Sequence, residues 1–217
     1  MKKSSKSGFT LAEVLIALTI IGVIAALTVP ALVQKTQKQE YVSALQKTYS
    51  TLSQASNMII AEHGSPKGED SWADSTEHIY QLFKKKLIGA KDCAAETGCF
   101  AQGYTIFDKS RSSTWDTNGE YRRMILADGS QIMFYGADSS CESSWSSSNN
   151  SCGYIWADVN GEKKPNIIGR DIFNFSIKET GLYPAGCDTS DINMCTKKGA
   201  TGKECACKVL REGAMNY

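Results

Sequence analysis

Histidine is scarce in this chain, and its basic charge has no surplus. Only His63 and His78 occur among 217 residues, which leaves little general-base capacity near neutral pH. No G-x-S-x-G elbow, P-loop or H-E-x-x-H helix is present, so no catalytic set can be assembled and the chain reads as a non-enzyme. The formal charge is +1. Setting aside Lys2, Lys3 and Lys6 turns it to −2, which removes any bulk electrostatic case for nucleic acid. Lys84-Lys85-Lys86 has no interleaved aromatics and reads as a solvated helix face. Cysteine is absent before Cys93, and from Gly8 to Gln34 the only charged side chain is Glu13.

That last scarcity directs the reading. Val14 to Val33 is apolar, broken only by Thr19, Gly22, Thr28 and Pro30. Twenty helical residues span about 30 Å, the thickness of a bilayer's hydrocarbon core. The three lysines before it hold that end in the cytoplasm and place the rest of the chain in the periplasm or outside the cell. An ordinary cleaved signal, with Val29-Pro30-Ala31 as its small-residue site, is the alternative. The run is longer than such a signal's apolar region, and a signal has no use for Glu13. A plain membrane anchor leaves Glu13 unexplained as well. A carboxylate inside a membrane span costs roughly 2.5–3.5 kcal/mol at mid-bilayer and usually has a function and a partner. A fresh α-amino group at Phe9, produced by a cut after Gly8, would be such a partner, on the same helix or on a neighbouring identical one.

Gly8-Phe9-Thr10-Leu11-Ala12-Glu13 after a lysine-bearing leader, followed by the apolar run with Pro30, resembles the start of type IV pilins and type II secretion pseudopilins. The resemblance implies cleavage between Gly8 and Phe9 by a prepilin peptidase and N-methylation of Phe9. It makes Glu13 the carboxylate that guides the subunit into a filament of like subunits. It also implies an inner-membrane assembly platform as partner, and membrane lipid before assembly. Residues 1–8 are then a leader, 9–33 the transmembrane half of a long helix and 34–62 its amphipathic half. Residues 63–217 form a globular α+β domain with a disulfide-rich C-terminal part. The competing function is a secreted, disulfide-rich binding or adhesion module with an ordinary signal peptide.

Residues 34–61 contain neither Gly nor Pro, and Val42, Leu45, Tyr49, Leu52, Ser56 and Ile59 recur every three or four positions. This is an amphipathic helix whose stripe packs on a globular domain. One helix from Phe9 to Glu62 would be about 80 Å long, with Gly22 and Pro30 as places to bend or locally melt. His63-Gly64-Ser65-Pro66 stops it. A second helix is expected over 75–88, capped by Ser75 or Asp74 and ended by Gly89. Beyond it the signals turn to strands: GYTIFD, a hairpin with a two-residue turn at Asp128-Gly129, and strands either side of a turn at Asn160-Gly161. The expected architecture is a long helix packed on an antiparallel sheet.

The eight cysteines, Cys93, Cys99, Cys141, Cys152, Cys187, Cys195, Cys205 and Cys207, all lie late in the chain and are even in number. That pattern suits disulfides in an oxidising compartment. On the order of a hundred connectivities are open. Cys93/Cys99 and Cys141/Cys152 are near enough in sequence to close small loops, the second around a Ser-rich surface loop at 139–153. The last four cysteines would tie down residues 181–217, where one late strand is expected near Cys205–Leu210. No cofactor is required. Calcium is the one metal for which donors occur together: Asp158, Asn160, Glu162 and Asp171 bracket a tight turn. Gly169 stands where an EF-hand needs its closing glutamate, so that motif fails, and the competing reading is a simple hairpin turn.

Overall fold

The computed structural model describes residues 8, 10–87, 91–108, 112–113, 115–145, 148–189 and 191–217. Phe9, the cleavage-site residue, and Gly89, the expected helix stop, lie outside the described residues. The chain divides into two compact units, residues 1–39 and 40–217. Helix α1 runs from Leu11 to His63 and supplies residues to both.

In the first unit α1 continues through Gly22 and Pro30 without a break. No local melting is therefore present at either residue in this structure. Proline removes one donor from the ladder, and the flanking leucines, isoleucines and alanines hold the helix on either side. Thr19 and Thr28 return their hydroxyls to the carbonyls of Leu15 and Ile24, at 2.8 and 2.9 Å. Neither hydroxyl is left to face an apolar surrounding unpaired.

In the second unit the same helix turns amphipathic, and Tyr41, Val42, Leu45, Thr48, Leu52, Ala55, Ser56 and Ile59 are buried. Tyr49, on the edge of the stripe, stacks on Phe175 with ring centroids 5.7 Å apart. Helix α2 spans Thr76–Lys86, with Ser75 in extended conformation as N-cap accepting from the amide of His78. Of the basic run at its end, Lys84 pairs with Asp92 and Lys86 with Glu62, which leaves no free lysine cluster there.

Six strands form one antiparallel sheet in the order β1 (Lys91–Ala94), β4 (Arg122–Ile125), β5 (Gln131–Ala137), β8 (Gly153–Asp158), β9 (Ile172–Lys178), β10 (Gly181–Pro184). Two short ribbons lie outside it: β2 (Tyr104–Thr105) with β3 (Ser112–Ser113), and β6 (Ser143–Trp145) with β7 (Ser148–Ser151). The period-2 alternation of the central strands divides the core. Ile132, Phe134, Ile155, Ala157, Phe173, Phe175 and Ile177 pack with the stripe of α1 and with Ile79, Leu82 and Phe83 of α2. Met133, Trp156 and Ile172, from alternate positions, pack with Phe100, Tyr104 and Trp115 in a second, aromatic cluster. Gly153 lets α2 come close. A Cβ there would stand 2.9 Å from Ile79 Cδ1 and from the carbonyl oxygen of Gly136.

Four local expectations are revised. The β4–β5 hairpin closes through residues 126–130, with Leu126 and Ser130 hydrogen-bonded across its base, so Asp128-Gly129 is part of a longer loop than a two-residue turn. The 139–153 stretch, expected as a plain flexible loop, carries the β6–β7 ribbon. Strands β8 and β9 are joined by residues 159–171 rather than by a tight turn, and of Asn160-Gly161 only Gly161 has positive φ, at 67°. Finally, the late segment is helix α3, Cys205–Glu212, not a strand. Cys205 and Val209 lie one turn apart on a buried face. Gly213, left-handed at φ 60°, caps the end by donating to Val209.

Candidate processing and assembly segment

The start of α1 is built around Thr10 and Glu13. The Thr10 hydroxyl accepts from the Glu13 amide at 3.3 Å. The Glu13 carboxylate accepts from the Thr10 amide and hydroxyl, each at 2.8 Å. This reciprocal pair is a capping box: each side chain satisfies an N-terminal amide that the helix itself cannot. The sequence signal T-x-x-E was there to be read, and it gives Glu13 a local role in addition to the one expected of it. Gly8 is exposed two residues upstream of Thr10.

From Leu11 to Val33 the helix offers its apolar side chains to the surroundings all round. Leu11 is 79 % exposed, and every other large apolar residue in this stretch is exposed as well. Among the described residues only Met58, Tyr183 and Met194 are exposed large apolar side chains elsewhere. Burying one such side chain is worth roughly 1.5–3 kcal/mol. A helix showing more than ten of them needs lipid or neighbouring helices around it. By length and composition α1 can cross a membrane.

The calcium donors are only partly brought together. Asp158 ends β8, opposite Gln131 of β5, and is fully buried. Its Oδ1 accepts from the Asn160 amide at 3.2 Å, and its Oδ2 has no hydrogen-bond partner. Asp171 is also buried and accepts from the amides of Asn166 and Ile167 at 2.8 and 2.6 Å, which folds the 159–171 connection back onto itself. Burial, and then the neighbouring Asp171 carboxylate, push Asp158 up to about 8. Asp171 is also raised, mainly by burial. Glu162 is exposed on the outer turn of the connection. Ile167 and Ile168 draw the inner half of the connection into the core with the two aspartates, while residues 162–164 stay exposed. Among the described residues no three His, Cys, Asp or Glu side chains stand together to hold a metal ion.

Three disulfides join Cys93–Cys99, Cys141–Cys152 and Cys187–Cys207, with Cα separations of 6.2, 4.0 and 5.2 Å. The two short-range pairs are those their spacing suggested. Cys195 and Cys205 are buried thiols. Sequence reasoning missed the buried pair Arg123 and Asp116, 3.8 Å apart. Asp116 gathers the amides of Gly98, Cys99 and Phe100, and Arg123 donates to the carbonyls of Ala95, Trp115 and Asn118. Together they fix the loop that carries the first disulfide, a role for which an Arg in a strand gives no sequence signal.

The decisive comparison concerns the first helix. Residues 3–29 match the family model described as the prokaryotic N-terminal methylation motif. The match agrees with the type IV pilin or pseudopilin signal of the N-terminal residues, and the long helix and the antiparallel sheet are the α+β layout that this resemblance implies. Such a motif implies processing by a prepilin peptidase and assembly with like subunits. No curated protein and no solved structure matches the chain.

Proposed function

We propose that this protein is a structural subunit of a type IV pilus or type II secretion filament. In this reading a prepilin peptidase cuts between Gly8 and Phe9, and the new terminal amine of Phe9 is methylated. The subunit waits in the inner membrane with its domain on the far side, and an assembly platform extracts it into a filament. Glu13 supplies the carboxylate that meets a terminal amine of another copy, and the apolar halves of the helices exchange lipid for one another. The observation that carries this reading is an exposed apolar stretch of helix, Leu11 to Val33, whose single charge sits in its first turn, inside the matched motif. The filament is a membrane or surface structure, and the reading gives the chain no catalytic step.

Mass analysis of the N-terminus of the protein isolated from its native host tests it. The expected mature chain begins at methylated Phe9. A chain that keeps its lysine leader, or one that begins near Leu32 as an ordinary secreted module would, overturns the proposal.

A further inference from the structure

The two thiols left over by the three disulfides are neighbours. Cys205 opens α3, and Cys195 sits in the 3-10 turn Ile192–Thr196 that packs against that helix. Both are fully buried, and the Cys205 thiol lies 3.4 Å from the carbonyl oxygen of Cys195. Burial first, and then Cys195 itself, push the Cys205 thiol up. The turn is held in place from outside the pair: Lys208 of α3 donates to the side chain of Asn193 at 2.8 Å, and Asp191 caps the turn through the Asn193 amide at 2.9 Å. On the opposite side, Gly169 at φ 84° leaves room for the sulfur, since a Cβ there would stand 2.9 Å from Cys205 Sγ.

Helix geometry separates the two cysteines of the C-x-C. Residues two apart on a helix differ by about 200° in direction. Cys207 therefore faces the Cys187 segment, to which it is bonded, while Cys205 faces the 3-10 turn. The partner of Cys205 must come from that turn, and Cys195 is the cysteine it holds.

We propose that Cys195 and Cys205 close a fourth disulfide in the exported protein. This rests on the placement of the domain in an oxidising compartment under the function proposed above. Two S–H bonds break and one S–S bond forms. The two protons and two electrons pass to the disulfide of an extracytoplasmic thiol oxidase, which becomes its dithiol through a mixed disulfide. The raised, buried thiol is a poor nucleophile once the fold has closed over it, so the exchange takes place while residues 192–205 are still accessible.

The test is to denature the protein purified from its host in an alkylating agent without reductant, then digest it. Cleavage after Lys178, Lys197, Lys203 and Lys208 and before Asp188 and Asp191 separates Cys187 from Cys195 and leaves Cys205 and Cys207 on one peptide. The expected product is that peptide joined to both others with no alkyl tag. Cys187 joined to the peptide, with tags on Cys195 and Cys205, overturns the fourth bond and leaves the exported placement standing. Tags on all four cysteines overturn both.

Discussion

One helix serves two surroundings. Up to Val33, α1 exposes leucine, isoleucine and valine on every side. From Tyr41 onward, it buries a single stripe and leaves most other positions polar. Both stretches are continuous α-helix, so helix formation itself does not distinguish them. The distribution of apolar residues around the axis does. A stripe can be satisfied by one sheet within the same chain, whereas an apolar surface all round can be satisfied only by something outside it. The first stretch is therefore built for partners, and the second for its own domain.

Glu13 offers the sharpest way to break this comparison, because it is the only charge in the partner-seeking half. Glu13→Val removes both the carboxylate and the acceptor of the Thr10 amide. Glu13→Gln keeps an acceptor for the capping box and removes the charge. Both variants are expected to lower the yield of sheared filaments by roughly tenfold or more, since losing a pairing worth only about 1.4 kcal/mol already gives that factor. If the glutamine variant polymerises normally while the valine variant does not, the capping box and not the charge is what assembly needs.

A pair of matched truncations tests the halves against each other. Leu52 is fully buried, whereas Leu18 is 61 % exposed. Leu52→Ala is expected to destabilise the domain by about 2–5 kcal/mol, through lost transfer energy and the cavity left behind. Leu18→Ala is expected to leave thermal unfolding of the domain in detergent unchanged. Equal losses at the two sites would show that residues 11–33 also contribute to the folded core.

Legibility in the sequence tracks the range of the interactions. The stripe of α1, the extent of α2 within two residues and the short-range disulfides rest on neighbours in sequence, so periodicity and spacing reveal them. The Thr10–Glu13 capping contact is of the same short range, three residues apart. The late helix was not, because Cys205, Ala206, Cys207 and Val209 form too short an apolar pattern to separate helix from strand. The Cys187 bond, the packing on β9 and the Gly213 cap decide between them. The loop 159–171 was misread because Asn-Gly is a strong hairpin signal, and it was overridden by two distant facts: Asp171 collecting the Asn166 and Ile167 amides, and the isolated bridge between Thr105 and Ile167. The Arg123–Asp116 tie, which joins segments that spacing does not relate, was invisible for the same reason.

Asp158 sharpens the contrast from the other side, as a carboxyl group the domain has buried for itself. Its folded value of about 8 lies above its ordinary value of 3.8. The native state therefore binds a proton that the unfolded chain gives up. The contribution to stability is full below about pH 4 and is lost as pH rises toward 8, with a slope approaching about 1.4 kcal/mol per pH unit. Urea unfolding of the domain is expected to show stability falling from about pH 5 to about pH 8, and Asp158→Asn, which cannot ionise, is expected to flatten that slope. Asp171 is raised in the same direction and keeps part of the dependence in the variant. Tyr41 and Gln131, the other polar groups facing this cluster from α1 and β5, do not ionise in that window. Calcium is the competitor for the same oxygens. With no three acidic side chains grouped there among the described residues, added calcium is expected to leave the melting temperature at about pH 8 where it was. A rise that Asp158→Asn abolishes would show that Asp158 and Asp171 recruit a cation when they lose their protons, and would make this loop a second place where the protein depends on something outside its own chain.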